Sequence, residues 1–175
     1  SCPDMAAGRT RRVLAALGVL AALGGLAVAI GAPLGLFSGS RPTDLGLAGG
    51  QLRGGDGRPN WVSSQVPPAD AHRIAPLPAA GNPGLAWRAL EAAVRTEPGA
   101  RVITAGPGYL HAEFASTVMG FVDDAEFALD REAGLIHVRA GARLGIRDFG
   151  VNRDRIERLR SRLSAAGTAP AASAR

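Results

Sequence analysis

Residues 109–153 constrain the fold most, because they contain segments whose apolar residues recur with the period of a strand. In Phe121-Val-Asp-Asp-Ala-Glu-Phe-Ala-Leu-Asp130 and Leu135-Ile-His-Val-Arg-Ala140 every second residue is apolar, as in a strand with one face in a core. Residues 109–116 repeat the pattern, with Leu110, Ala112 and Phe114 on one face and Tyr109, His111 and Glu113 on the other. Register follows by counting outward from a turn at 131–134. Leu129 then faces Ile136, Phe127 faces Val138 and Ala125 faces Ala140, while Glu126 falls opposite Arg139 with Asp124 diagonal to it. A tight turn at 117–120 sets His111 beside Glu126 and Glu113 beside Asp124. The Gly106-Pro-Gly108 turn joins this meander to a short strand over 101–105.

Helices bracket the strands. Asn82-Pro83 reads as an N-cap followed by proline at the first helical position, and Trp87, Leu90 and Val94 then share one face until Pro98-Gly99 ends the helix. A second helix begins at Val151-Asn152, with Asn152 as N-cap, Val151 stapled onto Ile156, and Ile156, Leu159 and Leu163 as its buried stripe. The expected architecture is α+β over 59–163: an antiparallel meander of about four strands flanked by two helices and preceded by one N-terminal transmembrane helix. With aromatics at 5% of the chain, the core must rest on few anchors, namely Trp61, Trp87, Phe114, Phe121, Phe127 and Phe149.

Residues 13–37 carry no charge, a run longer than the roughly 20 residues that a membrane-spanning helix needs. Arg9, Arg11 and Arg12 precede it, which holds residues 1–12 in the cytoplasm and sends the remainder across. The expected location is a bacterial inner membrane, single-pass, with the C-terminal part in the periplasm or outside. The competing reading is a signal peptide cut after Ala27-Val-Ala29, which would release a periplasmic or secreted protein. The uncut anchor is preferred, because Ile30, Leu34, Leu36 and Phe37 continue the apolar character. Met5 looks like a natural start, and Cys2, the lone cysteine, excludes an internal disulfide. Residues 38–58 are glycine-rich without apolar periodicity and read as a flexible linker; residues 164–175 have nothing to bury and read as a disordered tail.

All 20 basic residues are arginine, yet beyond residue 37 the balance is only 17 Arg against 14 acids, a net of +3. That is too even for a nucleic-acid surface. The partners expected are the chain's own membrane and an envelope protein or anionic lipid.

Pro59-Asn-Trp-Val-Ser-Ser-Gln65, Tyr109-Leu-His-Ala-Glu113, Gly120-Phe-Val-Asp-Asp-Ala-Glu-Phe127 and Asp148-Phe-Gly-Val-Asn-Arg153, in that order, resemble the bacterial and plastid family catalogued as domain of unknown function 1499. The resemblance runs from about residue 59 to 163 and implies a small envelope or organelle domain with no established activity. Two departures stand out. Trp61 occupies a place where many members have cysteine, so thiol chemistry does not apply. Arg139-Ala-Gly-Ala-Arg143 keeps both arginines of a typical Arg-Ser-x-Ser-Arg run and loses both hydroxyls. By position the resemblance carries over Ser63, Ser64 and Gln65, Asp123, Asp124 and Glu126, Arg139 and Arg143, and Asp148, Asn152 and Arg153.

Asp123, Asp124, Glu126, Arg139, Arg143, Asp148, Asn152 and Arg153 are therefore the candidate ligand-binding residues. Arg139, Arg143, Arg147 and Arg153 near a helix N-terminus suit a phosphate or carboxylate, such as a phospholipid headgroup. An alternative metal site would use His111, Glu113, Asp124, Glu126 and His137. The plainer reading of both is a solvated face on which arginines neutralise acids, six of which stand against one Arg in 109–132. Asp123 falls on the apolar face and needs a partner there, a strand-end amide or Arg143, unless it serves as a general acid. Ser63 and Ser64 lack a Gly-x-Ser-x-Gly elbow and read as edge or turn hydrogen-bonding groups. No catalytic residue and no cofactor are expected. The reading is a non-catalytic binding or structural module, with an anion- or headgroup-binding protein or a metal-dependent enzyme as alternatives.

Overall fold

The computed structural model describes residues 3–168 except 33, 56, 80, 147 and 148. Cys2 and the last seven residues of the expected tail lie outside them. Helix α1 (Pro3–Gly31) contains the apolar run, and its stretch Arg11–Gly31 is long and apolar enough to cross a membrane. Leu14, Leu17, Leu20, Leu23 and Leu26 are all more than half exposed, so no part of the domain covers them. A small hairpin, β1 (Leu47–Ala48) and β2 (Gln51–Leu52), follows. The main elements are β3 (Trp61–Ser63), β4 (Leu77–Pro78), α2 (Pro83–Arg95), β5 (Ala100–Gly106), β6 (Tyr109–Ala115), β7 (Val122–Asp130), β8 (Leu135–Ala142) and α3 (Val151–Thr168).

The hairpins β6-β7 and β7-β8 have the register counted from the sequence. Leu129 pairs Ile136, Phe127 pairs Val138, Ala125 pairs Ala140 and Glu126 pairs Arg139. In the preceding hairpin His111 pairs Glu126 and Glu113 pairs Asp124. The sheet has six strands where about four were expected, because β3 and β4 both pair with the outer edge of β8, at its two ends. Runs of three and two residues are too short to show a period, and only the edge that receives them defines them as strands.

Both helices α2 and α3 cover one face. Asn82 caps α2 by accepting from the Leu85 amide at 3.0 Å, and Trp87, Leu90 and Val94 are buried as the spacing predicts. Ile156, Leu159 and Leu163 of α3 join them against Leu110, Phe114, Phe127, Ile136 and Val138. Three expected anchors do not belong to this core: Trp61 is only partly buried, Phe121 is 41% and Phe149 is 92% exposed. The start of α3 also differs. The Asp154 amide bonds the Gly150 carbonyl, so Asn152 lies inside the first turn, where its side chain accepts from Arg155 Nη1 at 2.7 Å, and Val151 is half exposed.

The glycine-rich segment, read as a flexible linker, is laid across the opposite face of the sheet. Arg41 and Asp44 find charged partners there, the Gly46 amide donates to Glu126, and the Leu52 amide donates to Gln65 Oε1 at 2.8 Å. We call residues 38–55 the strap. Near its end a Cβ on Gly55 would come within 2.2 Å of the Trp61 indole, which itself stacks on His72 at 4.0 Å.

The link from α2 to β5 depends on Gly99, which has φ +71° and whose missing Cβ would stand 2.1 Å from the Ala115 carbonyl oxygen. A Gly99→Ala substitution must move backbone as well as adopt a left-handed conformation, and should lower stability by at least about 2 kcal/mol in urea unfolding followed by tryptophan emission.

Candidate functional site

Alternation along β6, β7 and β8 places His111, Glu113, Asp124, Glu126 and Arg139 on the face away from the helices. This face is not solvated. His111, Glu113, Asp124 and Glu126 are between 1% and 7% exposed, because the strap and the guanidinium groups roof them. Burying carboxylates costs several kcal/mol apiece unless each is paired and hydrogen-bonded.

Glu126 lies deepest. Its Oε1 accepts from the Tyr109 hydroxyl and from the Gly46 amide, each at 2.6 Å, and its Oε2 from Arg139 Nη1 at 3.1 Å. Arg139 also donates to the Asp44 carboxylate at 2.6 Å, fastening the strap. Asp124 takes both arms of Arg143, Nε at 2.7 Å and Nη2 at 2.9 Å, and the ring Nε2 of His111 at 2.8 Å. Arg143 continues to Glu113, which Arg41 and Arg101 also reach, at 2.5 and 2.9 Å.

These contacts set the titration behaviour. Burial pushes the Glu113 carboxyl up, but hydrogen bonds from Arg41, Arg143 and Arg101 outweigh it and hold its pKa down at about 2. Asp124 is lowered for the same reason, burial being overcome by Arg143 and His111. Tyr109 moves up, through burial and then its bond to Glu126, and so stays a neutral donor. Hydrogen bonding to Asp124 raises Arg143, which remains charged.

Between strap and sheet lies a cavity of about 330 Å³, whose polar lining includes Asp44, Arg58, Asp124, Glu126, Arg139 and Arg143. Of the eight candidate ligand-binding residues, Asp124, Glu126, Arg139 and Arg143 meet at this cavity. The others do not. Asp123 and Asn152 lie on the helix side, where Arg155 bonds both, at 2.8 and 2.7 Å, and covers the Phe114 ring at 4.4 Å. Arg155, not Arg143, is thus the charged partner of Asp123. Arg153 is spent on the carbonyls of Arg73 and Ala71, at 2.9 and 3.3 Å. Arg147 and Asp148 lie outside the described residues. The expected cluster of four arginines at one helix end therefore does not form among the described residues: the sheet separates Arg139 and Arg143 from Arg153.

Among the described residues no three His, Cys, Asp or Glu side chains gather where a metal ion could be held. Of the alternative metal set, His111, Glu113, Asp124 and Glu126 are engaged by one another and by Arg41, Arg139 and Arg143. His137 points its Nδ1 to the Ser64 hydroxyl at 3.2 Å, with its Nε2 3.9 Å from Asp130. Ser64 Oγ accepts the Val138 amide at 2.9 Å and Ser63 Oγ accepts the Gln65 amide at 3.1 Å, the edge and turn roles expected of them. Asn60 has a comparable role, donating to the Gly145 carbonyl at 2.8 Å and so holding the loop beyond β8.

Sequence reasoning passed over Arg41, Asp44 and Arg155. Arg155 carried a signal, since it falls with Asn152, Ile156, Leu159 and Leu163 on the buried stripe of α3. Arg41 and Asp44 carried none, being isolated charges among glycines.

Glu113 and Asp124 ionise more readily folded than unfolded, so the unfolded chain binds more protons as the pH falls below the ordinary carboxylate range. The stability they contribute is complete above that range and should fall between about pH 5 and pH 2. Urea unfolding across these pH values should show this slope, flattened in Glu113→Gln. At neutral pH Arg143→Ala leaves two buried carboxylates short of a partner and should cost about 3–5 kcal/mol, against at most about 1 kcal/mol for Arg101→Ala at its exposed site.

The sequence model of a family described as protein of unknown function (DUF1499) matches residues 52–163. No curated protein and no solved structure matches the chain. The family match spans more than half of the chain and takes in the six-stranded sheet, α2, most of α3 and the sheet's share of the ionic layer, so the chain belongs to this family of proteins of unknown function.

Proposed function

We propose that this chain is a membrane-tethered module of the bacterial cell envelope, non-catalytic, with a binding or structural role. In this reading it is a single-pass inner-membrane protein whose folded part lies in the periplasm or outside. The observation that carries it is the docking of the strap, the segment that leaves α1, on the sheet. Arg41 and Asp44 tie it to Glu113 and Arg139, and the Gly46 amide ties it to Glu126. Groups that an acid–base mechanism would use are engaged in that docking, which supports a module held at a set distance from its span. Arg9, Arg11 and Arg12 ahead of the span support the orientation.

The cavity beneath the strap favours a second reading, a site for a small anion, because Arg58, Arg139 and Arg143 line it. Thermal unfolding of the full chain with and without millimolar inorganic phosphate separates the two. A phosphate-dependent rise that Arg139→Ala abolishes supports the anion site, and an unchanged midpoint supports the structural role.

Expressed in a bacterium, the full chain should resist alkaline carbonate extraction, and proteinase added to spheroplasts should digest the domain. A soluble product lacking residues 1–29 would end the tethered reading. Hydrogen exchange tests the docking directly. The Gly46 and Leu52 amides should exchange slowly, and Arg139→Ala should speed Gly46 by about tenfold or more while the β6 and β7 amides keep their protection.

A further inference from the structure

On the helix side of β7, between the 116–121 turn and the loop that follows β8, lies a second pocket of about 590 Å³. Its size falls within the roughly 300–1,000 Å³ of small-ligand sites. Phe121, Leu144, Phe149 and Val151 form much of its wall, and the mostly buried Asp123–Arg155 pair closes its inner end. Phe149, which lines the pocket, is 92% exposed, and on the two flanking loops Val118 and Ile146 are 72% and 73% exposed. Phe149 also holds φ +52°, a conformation bulky residues rarely adopt. Exposed apolar groups gathered at a concave site mark a place that something apolar covers.

The neighbouring chain segment indicates what that is. The Phe121 ring meets the Phe37 ring edge-on at 6.1 Å, Leu144 lies against Gly39, and Gly120 lies against the Ala32 carbonyl. Ala32 directly follows α1, so the walls of the pocket rest on the stretch where the chain leaves its apolar span. Leu34 and Leu36, each 69% exposed, prolong the apolar surface there. In the membrane-tethered reading, a pocket opening at that level meets lipid. Among the described lining residues the charged pair is internally compensated, since Arg155 binds Asp123 and Asn152 and covers Phe114. The pocket therefore suits a hydrocarbon chain better than a charged group.

We propose that this pocket takes an acyl chain of a bilayer phospholipid from the leaflet in which α1 ends, with Ile146 and Phe149 dipping among neighbouring chains. The proposal rests on the membrane-tethered reading. It assigns to the domain a lipid contact separate from the span and on the other side of the sheet from the ionic layer.

The test uses the full chain in phosphatidylcholine vesicles containing a phosphatidylcholine with a photoactivatable diazirine midway along one acyl chain. Irradiation, digestion and mass spectrometry then locate the adducts. Adducts on α1 report the tether, and adducts on residues 115–121, 144–145 or 149–151 report the pocket, so the two readings fail separately. The expected result is labelling of both, with Thr117→Trp, an exposed wall position, lowering the pocket adducts about tenfold and leaving those on α1 unchanged. A second variant, Phe149→Trp, should show emission quenched by acyl-brominated lipid beyond that of the wild-type chain. Adducts confined to α1, or pocket adducts indifferent to Thr117→Trp, would overturn the proposal. So would labelling by a free diazirine fatty acid alone, or pocket labelling that vanishes as the protein-to-lipid ratio rises, which would identify a second copy of the chain as the occupant.

Discussion

Four buried acid and imidazole side chains on one face of a sheet must be compensated, and most of the structure on that side follows from this need. Glu113, Asp124 and Glu126 sit with His111 on adjacent strands, close enough that the carboxylates would repel one another without cations between them. Arg139 and Arg143 enter from β8 and the residue just beyond it, but two arginines do not exhaust the acceptors. Arg41, the Gly46 amide and the Tyr109 hydroxyl complete them, which brings the strap onto the sheet. An apolar layer of equal volume could hold a strap as firmly. What the charges add is position, since each strap group fits only the acceptor it meets.

The two faces of the sheet handle charge differently. On the strap side the ions form a connected layer over β6, β7 and β8. Toward the helices a single arginine, Arg155, serves Asp123, Asn152 and the Phe114 ring within an otherwise apolar core. The end of the domain nearest α1 is apolar on its surface. Where the strap leaves α1, the 116–121 turn and the loop beyond β8 present Phe121, Leu144, Ile146 and Phe149 outward, and these residues contribute little to the core.

How much of this was legible depends on the range of the interaction that decides each feature. Strand register was legible in detail, because a two-residue period and a turn at 131–134 leave one alignment in which Phe127, Val138, Ala125 and Ala140 all face the core. The Glu126–Arg139 contact came with it, and so did the adjacency of Glu113 and Asp124. Asn82 as a helix cap was legible from two adjacent residues, whereas the cap of α3 was placed at Asn152, two residues inside the helix, where its side chain answers to Arg155. The strap was illegible. Its strands are two residues long, and its charges act on partners 72 and 95 residues away, Arg41 on Glu113 and Asp44 on Arg139.

The sequence by itself determined the apolar span, the order and pairing of the four meander strands, the buried stripes of both following helices and the family. All of these rest on periodicity, capping and turn chemistry among near neighbours. Only the tertiary structure decided that the polar face is buried, which arginine serves which carboxylate, and that Phe121 and Phe149 face outward beside the end of α1. Alternation states that a strand has two unlike faces. What covers the second face depends on a distant segment folding back over it, and that is a property of the closed chain rather than of any stretch within it.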